Sequence, residues 1–199
     1  MKMSALEKHF VNSPSHTRNV AEDACQLLSR IDCKRGWRYL DVGCGLGTAA
    51  QKIAATSELS VIAIDIDPQQ IEAARAGAAH PNLQYQVMDA TKLEFANEEF
   101  DVVASRMATH HITNWQRALS EMMRVLRPGG YLIYSDFVFP AWLAKVARYI
   151  RFLSFPSTSA LRLLAENADF VPIYESRHSA KVDVIWRKNP SSRQAGALS

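Results

Sequence analysis

Leu40-Asp41-Val42-Gly43-Cys44-Gly45-Leu46-Gly47-Thr48 decides how this chain is read. Tyr39-Leu40-Asp41-Val42 reads as a short buried strand that stops at glycines, and a helix runs from about Thr48 to Ala55. Glycine-rich sequence between a strand and a helix is the context a nucleotide-binding loop needs. Glycines let the backbone turn sharply and come close to a ligand. Two details turn the reading away from a dinucleotide. The dinucleotide fingerprint wants glycine or alanine at its sixth position, where this chain has Thr48. An acid, Asp41, stands two residues before the first glycine. A carboxylate there gains nothing from a pyrophosphate, whereas a ligand carrying an ammonium or sulfonium does gain from it. No GK[ST] follows, so a Walker loop is excluded.

Working outward, strands and helices alternate. Val20, Ala24, Leu27, Leu28 and Ile31 recur at helical spacing after Ser13-Pro14. Val61-Ile62-Ala63-Ile64-Asp65 is a second strand, and its Asp65 lies 20 residues past Gly45, placed to accept hydrogen bonds from ribose hydroxyls. Pro68 fits the first turn of a helix reaching about Ala78. Leu83 to Val87 and Phe100 to Ala104 are further strands; Trp115 to Leu126 is a helix capped by Thr113 or Asn114 and stopped by Pro128-Gly129-Gly130. Tyr131 to Ser135 makes a fifth strand. Helices follow near Trp142–Leu153 and Ser159–Asn167, and strand-like runs around Val171–Glu175 and Val182–Trp186 are close enough to pair as an antiparallel hairpin. The expected fold is α/β: a doubly wound, mostly parallel sheet with a C-terminal antiparallel hairpin. One domain over 1–188 is expected, with 1–35 as a helical lid region, 137–170 as a short acceptor-side cover and 189–199 as a disordered tail.

Composition sets the outer bounds. The chain has 199 residues, 48% hydrophobic and 22% charged, which is ordinary for a globular protein. Three cysteines without CxxC spacing, Cys25, Cys33 and Cys44, argue against a disulfide framework or a structural zinc site. No apolar stretch of signal-peptide length follows Met1-Lys2-Met3-Ser4, and no run approaches the ~18 apolar residues of a spanning helix, so a cytoplasmic location is expected. Residues 1–38 carry net charge +3, residues 39–136 carry −5 and residues 137–199 carry +5. That distribution argues against a uniform nucleic-acid-binding face and leaves the C-terminal third open to an anionic partner.

Over residues 36–136 the chain resembles the class I S-adenosylmethionine-dependent methyltransferases. Leu40–Gly47 resembles their first motif, Ala63-Ile64-Asp65-Ile66-Asp67-Pro68 the acidic end of their second strand, and Met88-Asp89-Ala90 the position that holds adenine. Phe100-Asp101-Val102-Val103 resembles their fourth strand, and Arg124-Val125-Leu126-Arg127-Pro128-Gly129-Gly130 the turn before the fifth. The resemblance implies S-adenosylmethionine as cofactor and S-adenosylhomocysteine as product. It puts Asp41 and the loop Gly43, Cys44, Gly45 and Gly47 against the methionine part, Asp65 with Ile66 at the ribose, and Asp89 with Ala90 at the adenine edge. Ser105 and Arg106, ending the fourth strand, complete the implied cofactor set. Asp101 caps its strand, and Cys44 reads as a small loop filler rather than a nucleophile.

A sulfonium is already an activated electrophile, so the protein has mainly to align the reactants and exclude water. A base is needed only if the acceptor must lose a proton. Candidates lie in Ser105-Arg106-Met107-Ala108-Thr109-His110-His111-Ile112, after the fourth strand, where His110 or His111 can take a proton near neutral pH. The other reading has one histidine packed on the following helix and the other shaping the pocket. No metal is expected, since adjacent histidines do not easily share one ion and no carboxylate lies close in sequence. The His-His pair and the Arg-Pro-Gly-Gly turn resemble the ubiquinone/menaquinone-biosynthesis-like branch of small-molecule methyltransferases, which implies a small, apolar or aromatic acceptor, quinone-like or lipid-like.

Within 140–153, Trp142, Val146, Tyr149, Ile150 and Leu153 form one stripe, and Lys145, Arg148 and Arg151 another. Such a helix either makes peripheral membrane contact or packs on the sheet as a cover. Lipid attraction of about 1 kcal/mol per cation competes with about 1.5–3 kcal/mol for each large apolar side chain buried in a core. Two rival functions remain open. Methylation of nucleic acid or protein is opposed by the lack of an Asn/Asp-Pro-Pro-aromatic motif, a Pro-Cys nucleophile or an interleaved basic and aromatic platform. A cofactor-binding protein without catalysis would bind S-adenosylmethionine and transfer nothing.

Overall fold

In the computed structural model, residues 14–77, 79–138, 156–178 and 181–191 are described. The chain runs α1 (Pro14–Leu28), β1 (Arg38–Val42), α2 (Thr48–Thr56), β2 (Ser60–Asp65), α3 (Pro68–Arg75) and β3 (Leu83–Val87). It continues through β4 (Phe100–Arg106), a 3-10 turn (Thr109–His111), α4 (Trp115–Val125), β5 (Leu126–Phe137), α5 (Thr158–Asn167), β6 (Phe170–His178) and β7 (Lys181–Lys188). The expected helix near Trp142–Leu153, and with it the 140–153 membrane contact, lies outside the described residues. So do residues 1–13 of the lid region and most of the tail.

The seven strands form one sheet in the order β3-β2-β1-β4-β5-β7-β6. The pairs among β1 to β5 are parallel, and β7 pairs antiparallel with both β5 and β6. Because strand side chains alternate between faces, neighbours on one strand serve two cores. Leu40, Val42 and Val103 join Leu119 and Met122 of α4 on one face. Tyr39, Val102 and Ile133 join Ile53 of α2 and Leu27 of α1 on the other. Three of the helices are started by side chains at their caps: Asp67 accepts from the Gln69 N–H ahead of Pro68, and Asn114 and Ser157 serve α4 and α5 in the same way.

Two boundaries differ from the sequence reading. α3 ends at Arg75 rather than near Ala78. Pro128-Gly129-Gly130 lies inside β5 rather than before it, in a bulge between the pairings Phe100–Leu126 and Val102–Tyr131. Gly129 there has φ 77°, a left-handed backbone that glycine adopts without a steric penalty.

Candidate active site

β1 lies between β2 and β4, so the chain reverses direction of travel across the sheet there. Crevices at the carboxyl ends of the strands at such a switch point are where open α/β sheets take ligands. A cleft of about 280 Å³ opens at this place, with Gly43, Gly45, Asp65, Asp89, Met107 and His111 among its walls.

The loop is sewn to the second strand, since the N–H groups of Gly43 and Cys44 both donate to the Ile64 carbonyl at 2.9 Å. Gly43 is packed from behind: a Cβ there would stand 2.4 Å from the Ala108 Cβ. Gly45, also at positive φ, has nothing within 4 Å of the place a Cβ would take. One glycine therefore closes the loop onto the protein, and the other leaves room for something to approach its backbone. Asp65 is 9% exposed and holds the loop's shape. Its Oδ2 accepts from the Gly45 N–H and its Oδ1 from the Asp67 N–H, each at 2.9 Å. Burial pushes its pKa up, against the pull of those two N–H groups. Each carboxylate oxygen keeps further acceptor capacity. Asp89 is oriented by the Thr91 N–H and hydroxyl, both donating to Oδ1 at 2.8 Å. Ile66 and Ala90 also line the cleft.

Asp41, Cys44, Ser105, Arg106 and His110 do not line it. Asp41, expected against the ligand, is 2% exposed and accepts from Arg106 Nη2 at 2.9 Å. Burial raises its pKa and the guanidinium opposes the rise. Ser105 is buried as well, at 1% exposure. The Cys44 thiol is pushed well up by burial and by the Asp41 and Asp65 carboxylates, which keeps it protonated. Gly47 serves as the N-cap of α2, and its carbonyl accepts from the Tyr85 hydroxyl at 3.3 Å.

The two histidines separate. His111 stands on the cleft wall. His110 turns toward β5, where its Nδ1 lies 2.5 Å from Asp136 Oδ1, and its ring centroid is 3.9 Å from that of His111. Asp136 is buried and collects more: the Thr109 N–H and hydroxyl and the His110 N–H reach Oδ2 at 2.8, 2.5 and 3.2 Å. Asp136 was not singled out from the sequence, although an acid ending an apolar strand next to the cleft was visible at Tyr131-Leu132-Ile133-Tyr134-Ser135-Asp136. Met107 was missed as well; it has φ 50° and its N–H donates to the Ser135 carbonyl at 2.7 Å. Among the described residues no group of three or more His, Cys, Asp or Glu is placed to hold a metal ion. Nor is any described helix long and apolar enough to cross a membrane.

The strand order, the glycine loop and the acid-ended second strand define a class I methyltransferase fold. Residues 40–134 match the family described as "Methyltransferase domain". The chain is 36% identical over 132 residues to an O-methyltransferase of Pyrenophora dematioidea, covering 63% of this chain and 49% of that protein. It is 29% identical over 170 residues to a demethylmenaquinone methyltransferase of Renibacterium salmoninarum, covering 80% of this chain and 70% of that protein. Against the first of these relatives the chain spans about half the length. Among solved structures, the [4+2]-cyclase SpnF superposes with a TM-score of 0.75 at 19% identity, covering 86% of this chain and 82% of that one, a likeness of fold.

Proposed function

We propose that this chain, as a single domain, transfers a methyl group from S-adenosylmethionine to a small apolar or aromatic acceptor. The observation that carries the reading is Asp65: a buried carboxylate with spare acceptor capacity, bonded to the loop's backbone at the edge of a cleft where Gly45 leaves open space. These residues fit the cofactor. Gly45 would let its chain pass close to the backbone, Asp65 would accept from ribose hydroxyls, and Ile66, 47% exposed on the cleft wall, would lie against the base beside Asp89 and Ala90. When bound, S-adenosylmethionine supplies an electrophilic methyl on sulfur and leaves as S-adenosylhomocysteine.

The remaining work falls to the protein. Met88, Met107, Ala108 and Ile112 give the cleft apolar walls that exclude water and suit a greasy acceptor. His111 is the histidine placed to take a proton from the acceptor where one must be lost, and His110, held by Asp136, fixes the turn that presents it. An apolar acceptor is supported by the relative that acts, by its name, on demethylmenaquinone.

Labelled S-adenosylmethionine given to the protein with a crude lysate tests the reading. Label in the organic phase is expected. Label in a macromolecular pellet would replace the acceptor class with nucleic acid or protein. Intact binding with no transfer, even from extracts rich in quinones and lipids, would leave a cofactor-binding protein without catalysis. Substituting Asp65→Ala is expected to weaken S-adenosylhomocysteine binding by about 1.5–3 kcal/mol in calorimetry, the cost of hydrogen bonds to a charged group. Unchanged affinity would remove Asp65 from the site.

A further inference from the structure

We propose that Tyr85, in the middle of β3, is a positioning residue for the cofactor: it touches no ligand and presets the rear of the glycine loop before one arrives. The inference rests on the cofactor site read above and deepens it. Tyr85 is not among the residues that wall the cleft. The loop is fastened at three places. Its front is sewn to β2, where the Gly43 and Cys44 N–H groups share the Ile64 carbonyl. Its middle hangs on Asp65, whose Oδ2 accepts from the Gly45 N–H. Its rear is held by Tyr85, whose hydroxyl donates to the Gly47 carbonyl at 3.3 Å. The same carbonyl accepts the first helical bond of α2, from the Gln51 N–H at 2.8 Å, so both of its acceptor sites are taken and its direction is fixed.

The ring does as much as the hydroxyl. A Cβ on Gly47 would stand 2.6 Å from Cε1 and 2.8 Å from Cζ of Tyr85, and closer still to its Oη, so the edge of the phenol lies against the loop's backbone. Gly47 has φ 72°, so glycine is required there twice, by its backbone angle and by this ring. Tyr85 is itself pinned. Its carbonyl accepts from Arg75 Nη2 of α3 at 2.6 Å, and its strand pairs with β2, Tyr85 standing opposite Ala63. Its hydroxyl pKa is pushed up to about 12, chiefly by burial, which keeps it a protonated donor. Asp65 does not fix the loop alone, because in the cofactor reading its carboxylate must also serve the ribose hydroxyls. Tyr85, lying off the cleft, meets no such demand. A loop held at its rear has less freedom to lose when a ligand binds, and the difference appears as affinity.

Calorimetric titration of the full chain with S-adenosylhomocysteine tests this, beside thermal melts and amide exchange of the free protein. Tyr85→Phe keeps the ring and removes the hydroxyl bond; it is expected to weaken binding about three- to tenfold, the scale of one hydrogen bond. Ile185→Val takes one methyl group from the same core, on a strand remote from the loop, and is expected to lower Tm while leaving affinity within about twofold. Tyr85→Ala is expected to weaken binding further in the native chain. In a Gly47→Ala background, where the ring blocks the new Cβ, the same truncation is expected to restore affinity several-fold. A side chain that matters only to folding would not reverse its sign in this way. Unchanged affinity in Tyr85→Phe, an equal loss in Ile185→Val, or one sign in both backgrounds would overturn the proposal. If the double variant does not fold, the comparison of Tyr85→Phe with Ile185→Val decides. If the unaltered chain takes up no S-adenosylhomocysteine, the cofactor reading fails, and exchange of the Gly45 and Gly47 amides still decides whether Tyr85 presets the loop. That exchange is expected to quicken several-fold in Tyr85→Phe and not in Ile185→Val, and unchanged exchange would overturn the role given to Tyr85.

Discussion

Gly43 and Gly45 share a backbone conformation and differ in what stands behind them. Gly43→Ala forces a Cβ against Ala108 as well as an L-residue into positive φ, and is expected to lower stability by about 2–4 kcal/mol in denaturant unfolding. Gly45→Ala carries only the backbone cost, about 1–2 kcal/mol, but puts a methyl group where the cleft is open. Its expected signature is a loss of S-adenosylhomocysteine affinity larger than its loss of stability. The pH dependence belongs to Asp65. Its raised pKa means that binding which needs the carboxylate weakens on acidification sooner than an ordinary aspartate would allow, and strengthens again as pH rises through that range. Titrations over acid pH should show this slope in the native chain and lose it in Asp65→Asn. These residues were legible because the loop and Asp65 are each marked by local sequence. Asp41–Arg106 and His110–Asp136 were not, being 65 and 26 residues apart and joined only by the register of β1 on β4 and of β4 on β5. A carboxylate before a glycine loop looks the same in sequence whether it faces a ligand or a buried guanidinium.

Among the elements, α4 shows how one side chain ties a helix to a loop. Glu121 accepts from Arg124 Nη2 at 2.8 Å and from the Leu93 N–H at 3.1 Å, so it binds α4 to the segment that follows the Asp89 turn. The bond to Arg124 holds its pKa below the usual glutamate range. A lowered folded pKa contributes stability above the unfolded value, and that contribution is lost as pH falls through the folded one. Glu121→Gln is therefore expected to cost about 1–3 kcal/mol at neutral pH. The gap to the native chain should narrow as pH drops below about 4.3, which thermal melts in a pH series would record. Periodicity found α4 and its end within a residue, because an amphipathic helix writes its own pattern, and it left the cap to Thr113 or Asn114, of which the fold uses Asn114. It did not find the bulge in β5, since Pro-Gly-Gly is a stop signal locally and becomes part of a strand only when β4 pairs beside it.

For the whole molecule, the cofactor reading has a thermodynamic consequence. S-adenosylhomocysteine at a hundred times its Kd should add about 2.7 kcal/mol to the folded state. For a domain of this size that raises Tm by roughly 5–10 °C. A scan without a concentration-dependent shift would argue that the cleft is not its site. The alternation of strands and helices made the parallel part of the sheet readable. The two C-terminal runs announced a hairpin without saying which of them meets β5. The answer lies in burial: β7 places Val182, Val184, Ile185 and Trp186 in the interior, whereas β6 leaves Val171 and Ile173 about half exposed at the sheet's edge.

That arrangement has a bearing on how the protein is made. β6 leaves the ribosome before β7, yet among the described residues its pairing with the sheet runs through β7, which sits between it and β5. For the interval between the two, β5 has one open edge and β6 has no neighbour to pair with. The nascent chain must therefore keep an unfinished sheet border from meeting a strand of another molecule until the segment Lys181–Lys188 arrives to join the two.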